Sequence, residues 1–355
     1  MRYYYAVYIF LLLSLHSTFY ASCEHCHNEH VCYENEFLEE YIPFDADLFH
    51  KQQKVVHIDP ELLFWTVQSG GLYYAALPNH CASSSRTFTP TGRYERTKYD
   101  WTPGFRITMG FFHAPHYWNA CGQYIFFSSY GSNHCKKQFL IPTWPSLSSN
   151  VQKAKSSVRL QENLVNLMVS RVFFPNPHLR LKILGGLTGG AFENRWHITY
   201  KDPINTNKIK TKWTMWGIGP RIGVHFDWYW FCHIYFTGKA TFGGILGGYH
   251  NRSNQKNCCP STSSHICYCD YRFSPNIQYF LGYSWQYCFQ DKRIELVIGY
   301  EFNDWVNLQE IYYFAVSSQT NITKMEKSSL MIHGGSLRLT LDLSLIHISE
   351  PTRPL

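Results

Sequence analysis

Charge is scarce in this sequence. Asp, Glu, Lys and Arg make up 16% of its 355 residues, against about 25% in an ordinary soluble domain, which excludes a large water-facing surface of the usual kind. Long apolar runs are missing too. Past the N-terminus no stretch of about 18 apolar residues occurs, and the mean hydropathy of −0.28 excludes a polytopic helical membrane protein. No Gly-x-Ser-x-Gly, P-loop or dinucleotide fingerprint is present. The glycines at 185–190 and 243–248 suit crowded strands better than a phosphate cradle. The chain therefore reads as a non-enzyme, with no catalytic residues, no cofactor and no metal expected. Its net charge of +7 is spread singly between apolar residues, so no nucleic-acid partner is expected.

Aromatic residues are abundant: 26 Tyr, 25 Phe and 11 Trp. Many fall on a period of two. From Trp216, the residues Ile218, Ile222, Val224, Phe226 and Trp228 share one face. Arg221, His225, Asp227 and several glycines share the other. After a turn at Tyr229–Trp230 the alternation resumes to Phe242. Period two means strand, and the length of each run fits the roughly 9–11 residues that cross a bilayer. A second hairpin sets Tyr279, Leu281, Tyr283, Trp285 and Tyr287 against Gln278, Gly282, Ser284 and Gln286, and returns through Ile294–Phe302. Phe105–Phe111 alternates as cleanly, and Leu337, Leu339, Leu341 and Leu343 alternate with Arg338, Thr340 and Asp342. Val158–Phe174 fits a helical period as well as a strand. Pro142–Lys155, Lys201–Lys212, Asn79–Pro103 and the cysteine-rich Asn251–Ser274 read as loops.

These features imply an all-β fold, a transmembrane antiparallel up-and-down β-barrel of about 10–14 strands in a bacterial outer membrane, with membrane lipid as its surroundings. A charge on the lipid face costs about 2–4 kcal/mol near the midplane. Arg180, Lys182, Arg221, His225, Lys239, Glu295, Glu301, Arg338 and Asp342 are therefore expected to line a pore, or else to pair and fill a narrow barrel. Basic residues outnumber acidic ones in this set, which suggests a weak preference for anions. Trp216, Trp228, Tyr229, Trp230, Trp285 and Tyr287 are expected in interfacial girdles.

Residues 1–22 read as a signal peptide, with Arg2 before an apolar core from Tyr5 to Leu15. The alternatives are an uncleaved anchor and a lipidated Cys23. Residues 23–59 form an acidic, Cys/His-rich periplasmic leader, and the barrel is expected over 60–343. Residues 344–355 resemble translated sequencing-adapter read-through and are set aside as non-native. Cys23, Cys26 and Cys32, and Cys258, Cys259, Cys267 and Cys269, are possible disulfide partners. The alternative for either cluster is a zinc site, by ligand type and count.

Trp216-Gly-Ile-Gly-Pro-Arg-Ile-Gly-Val224 with Asp227-Trp-Tyr229 resembles the Legionella-type major outer membrane protein family, which includes the major-outer-membrane-protein-like porins of chlamydia-related bacteria. Phe64-Trp65 with Gly70–Tyr74, Leu281–Tyr287 and the closing Gly334–Leu343 fit the same pattern, so the likeness spans Glu61 to Leu343. The resemblance implies a pore-forming barrel without enzymatic activity, passing small polar solutes. It also implies disulfide cross-linking to envelope proteins or to other copies of the chain, and a Pro220 accommodated by a local bulge. The rival of another class is a structural or adhesive envelope barrel with a filled lumen and cross-linked loops.

Overall fold

The computed structural model describes residues 54–78, 92–113, 117–144, 151–176, 178–203, 205–230, 233–257, 262–289, 292–313 and 324–344. The signal peptide, the leader up to residue 53, and Cys23, Cys26, Cys32, Cys258 and Cys259 lie outside them. Among the described residues the regular elements are twelve strands: β1 (Lys54–Ser69), β2 (Tyr73–Pro78), β3 (Gly92–Arg96), β4 (Thr102–His113), β5 (Trp118–Pro142), β6 (Val151–Asn176), β7 (Leu179–Lys201), β8 (Thr206–Tyr229), β9 (Ile234–Asn257), β10 (Thr262–Phe289), β11 (Lys292–Tyr313) and β12 (Lys324–Ser344). The expected barrel start at residue 60 is too late, since β1 is already a strand at Lys54.

Ten of these strands close a ring. β4 to β12 pair in order, and β1 bridges the gap, pairing antiparallel with β12 on one edge and β4 on the other. Closure leaves no sheet edge in the hydrocarbon, as a membrane requires. β2 and β3 stand apart as a hairpin whose β2 pairs with the end of β5. β1 ends at Ser69 and β2 begins at Tyr73. The chain turns at Gly71, which takes a φ of 74°, a conformation that favours glycine.

The tight β4–β5, β6–β7, β8–β9 and β10–β11 connections lie at the end of the barrel where β1 begins and β12 finishes. Short turns mark the periplasmic side of such barrels. Strands then run far beyond the membrane at the other end. β10 has 28 residues, where about 9–11 suffice to cross. Three expected loops are strands for this reason. Lys201–Lys212 is largely the start of β8, Pro142–Lys155 contains the start of β6, and Cys267 and Cys269 sit within β10.

The outward face is apolar where lipid surrounds it. On β8, Trp216, Ile218, Ile222 and Trp228 are exposed. From Trp216 to Trp228 is about 40 Å of strand, or about 30 Å across the bilayer at the usual tilt. Trp216 thus marks the outer border of the apolar band. Trp228, Trp230, Trp285 and Tyr287 mark the inner one, where Trp285 and Tyr287 stack at 6.3 Å. Tyr229 departs from the girdle expected of it. It is 4% exposed and faces the lumen, its ring 4.7 Å from that of Tyr235. Its odd number puts it on the face of Arg221 and Asp227.

Pro220 produces no bulge. β8 and β9 pair Ile218 with Leu246 and Arg221 with Gly243 in one unbroken register, and β7 meets Pro220 at Leu187 in step. The strand forgoes one donor without shifting. Close approach helps here: Gly217 faces Gly247 across the pair, and a methyl on Gly247 would overlap the Trp216 carbonyl. Placing a charge at the lipid-facing Ile222 (Ile222→Arg) is expected to cost about 2–4 kcal/mol. Urea unfolding from vesicles reads this directly, and an unchanged midpoint would mean that Ile222 does not face lipid.

Candidate functional site: the barrel interior

Alternation sends every second side chain inward, so the inward residues of ten strands stack in layers. The layer nearest the periplasm is polar. Arg180 on β7 donates to Asp227 on β8 at 2.7 Å, and the Arg180 guanidinium lies 5.6 Å from the centre of the Tyr229 ring. His225 and Lys182 flank the same carboxylate at 3.1 and 4.0 Å. Across the ring Arg293 pairs with Asp342 and Glu295, and Arg338 reaches Glu295 at 3.4 Å. His57 touches Asp59 at 3.1 Å and Asn119 at 3.0 Å.

The next layer is a hydrogen-bonded belt. Arg106 on β4 donates two bonds to Glu301 on β11, at 2.8 and 2.9 Å, and one to Glu61 on β1 at 3.0 Å. Gln278 donates to Glu301, and Arg221 reaches Gln278 at 3.1 Å and Asn276 at 2.8 Å. These groups are nearly dehydrated: Arg106 is 6% exposed and Glu301 and Arg221 1%. A charge so placed needs a partner, and the belt supplies one for each carboxylate named.

Between these layers lies a cavity of about 200 Å³, lined among others by Lys182, His225, Lys239, Arg338 and Phe280. The structure thus brings all nine expected lumen residues to the inward face. Of these, Arg180, Lys182, Arg221, His225, Glu295, Glu301, Arg338 and Asp342 are tied up in contacts. The expected excess of positive charge is nearly cancelled, because Asp59 and Glu61 join the lining, which holds six Lys or Arg against five Asp or Glu.

Above the belt the interior turns aromatic. Trp65, Phe127, Phe192, Trp213 and Trp305 are at most 2% exposed. Phe192 on β7 and Trp305 on β11, four strands apart in the ring, touch at 5.0 Å between ring centres. Trp65 meets Phe127 at 5.5 Å and covers Arg106 at 5.4 Å. Higher still, the segment after β3 folds inward. The Thr97 N–H donates to the Leu72 carbonyl at 3.0 Å, and Asn194 donates to the Tyr99 hydroxyl at 2.6 Å. These side chains, together with the fully buried Glu162 that sits cross-strand from both Phe127 and Phe192, form a septum that spans the lumen between β7 and β11.

Sequence reasoning missed several of these residues. Arg106, Arg293 and Asp227 lie on the polar side of alternating strands, so parity marks them as inward. The septum residues have the same inward parity but no polar character to draw attention to it. Trp65 shares the parity of Glu61 on β1, and Phe192 that of Arg180 and Lys182 on β7, but only ring closure shows that they meet apolar partners across the lumen.

On the outer extension, Cys267 and Cys269 are exposed and free. They flank His250, with sulfur–nitrogen distances of 3.6 and 3.0 Å, and the three ligand atoms lie within 4.8 Å of one another. The disulfides expected of these two cysteines are absent from this arrangement. Membrane-impermeant maleimide is expected to label both thiols on intact cells without reductant. Labelling that appears only after reduction contradicts the free state.

No curated protein matches the sequence. The family described as Legionella pneumophila major outer membrane protein precursor matches residues 54–342. Solved structures similar in fold include the outer membrane protease OmpT from Escherichia coli, at 12% identity and a TM-score of 0.42, covering 82% of this chain and 97% of that one. A major outer membrane protein from Thermus thermophilus follows, at 10% identity and a TM-score of 0.29, covering 82% and 99%. The Pseudomonas putida toluene transporter TodX aligns at 7% identity and a TM-score of 0.25, covering 86% and 92%. The family match takes in all of the barrel but its last strand residues, and the chain belongs to the Legionella major outer membrane protein family. It is a β-barrel of the bacterial outer membrane.

Proposed function

We propose that this member of the Legionella major outer membrane protein family is a non-enzymatic structural barrel of the envelope, closed at rest, and not an open diffusion pore. The observation that carries this reading is the contact of Phe192 with Trp305 across the lumen, 5.0 Å between ring centres. A general diffusion pore needs a continuous hydrated path, and a septum of buried aromatic side chains interrupts it. The belt below ties β4 to its neighbour β1 and to β11, three strands away round the ring, through Arg106, Glu61 and Glu301, which suits a barrel that holds its shape.

The polar cavity on the periplasmic side favours a second reading, a gated pore for small polar solutes. The charged layers would then be its selectivity region and the septum an apolar gate of the kind that closes by dewetting. Swelling of proteoliposomes in small sugars separates the two. The closed barrel gives swelling no faster than protein-free vesicles, and swelling that falls with sugar size supports the pore instead.

A further inference from the structure

The cations that look scattered along the sequence meet on the outer surface. Arg159 on β6 pairs directly with Arg195 on β7, Arg195 with Lys212 on β8, and Lys212 with Arg252 on β9. All four are exposed. They form one row across four adjacent strands, about 14 Å wide at the usual strand spacing. Further out, Lys208 opposes Lys256 and Lys153 opposes Lys201. Isolated surface lysines are ordinarily just solvated, but like charges set directly opposite each other destabilise a sheet, and here the arrangement repeats across each pair of strands. On the outward face of β6–β9, Glu193 is the one carboxylate among the described residues. It pairs with Arg195 and with Lys212, the latter at 3.0 Å, and leaves the row with net positive charge. Burial and then the field of Lys210 and Arg195 hold the His197 imidazole below its ordinary value. Between β6 and β7 the row is concave, a small pocket lined by Arg159, Gln161, Glu193 and Arg195.

The height of the row identifies its ligand. Lys212 lies four residues beyond Trp216, the outer border of the apolar band, which is about 13 Å along the strand and about 10 Å along the membrane normal. That places Lys212 at the outer side of the headgroup layer, which adds about 5–7 Å to the hydrocarbon on each face. We propose that the Arg159–Arg195–Lys212–Arg252 row binds the phosphates of a phosphorylated outer-leaflet glycolipid of the lipid A class. Two phosphates at the ends of a disaccharide match a row of cations, guanidinium groups grip phosphate in two-point contacts, and the acyl chains would lie along the apolar face below.

Native mass spectrometry of the refolded full chain in micelles tests this, with bisphosphorylated lipid A, enzymatically dephosphorylated lipid A and inorganic phosphate as probes. Bisphosphorylated lipid A is expected to bind at least about tenfold more tightly than the dephosphorylated form, and the quadruple variant R159Q/R195Q/K212Q/R252Q to lose at least about tenfold. All four side chains are exposed, so heat-modifiable mobility should be unchanged in the variant. The single variant Arg195→Lys should keep most of the binding. Equal binding of the two lipid forms, or of wild type and the quadruple variant, overturns the proposal. Displacement of lipid A by millimolar inorganic phosphate overturns it too, because the site would then be one for free phosphate. Should the quadruple variant fail to fold, the wild-type salt response decides: affinity should fall steeply with ionic strength, and a flat response counts against the row.

Discussion

Replacing Trp65, Phe192 and Trp305 together by alanine is expected to turn a barrel without resolvable conductance into one that conducts in stable steps. The three side chains are at most 2% exposed and lie in one apolar cluster. Phe192 and Trp305 close the span between β7 and β11, and Trp65 roofs the Arg106 belt. Their removal leaves a void bordered below by the polar layers and the cavity, which water can enter from the periplasmic side. Each large-to-small change in a packed interior costs about 3–5 kcal/mol. Because these side chains share one cluster, their costs should not simply add. The backbone ladder of the ring is untouched, so the barrel should still form, with earlier unfolding on heated electrophoresis. Trp305→Leu serves as the control: it keeps most of the apolar volume and should stay closed.

The second large effect belongs to the belt. Arg106→Met removes the partner that Glu301 and Glu61 share, three hydrogen bonds in all. The carboxylates are 1% and 5% exposed at the side chain, so two nearly dehydrated negative charges lose their shared partner. Breaking a buried pair from one side typically costs about 3–5 kcal/mol. Thermal unfolding followed by heat-modifiable mobility should show the loss. The double variant R106M/E301Q should lose less than the sum of the two single changes, since each removes part of what the other leaves unpaired. Strict additivity would mean that Arg106 and Glu301 do not act as a pair.

How much of this is legible in the sequence depends on what surrounds each face of a strand. Where lipid lies outside and a polar layer inside, as along Ile218–Trp228 of β8 or Leu337–Leu343 of β12, alternation is sharp and so is the reading. It fails where the two surroundings match. Along Val158–Phe174 of β6 both faces are mixed: the inward one carries Glu162, Asn166 and Ser170 among its apolar residues and the outward one Arg159, Gln161 and Asn163, so Leu164 points inward and Leu167 outward with no hydropathy difference between them. Along Lys201–Lys212 water bathes the outside, and a polar strand reads as a loop. The alternation of Lys208, Lys210 and Lys212 with Ile209, Thr211 and Trp213 is nonetheless present there.

For the interior, parity places the charges but not their partners. Arg106 and Glu301 are 195 residues apart, and only closure through the β1–β12 pairing brings them together. The same holds for the septum, whose defining contact joins residues on strands that are not neighbours. Tyr229 shows the opposite failure. Its place beside two exposed tryptophans suggests a girdle, and its odd number, which points inward, is the better guide.

Single-channel recording of the refolded wild-type chain in planar bilayers tests the central claim most directly. The septum predicts a silent bilayer, with steps appearing only in the W65A/F192A/W305A variant. Stable steps from the wild-type protein, with an ion selectivity set by its charged layers, would contradict it.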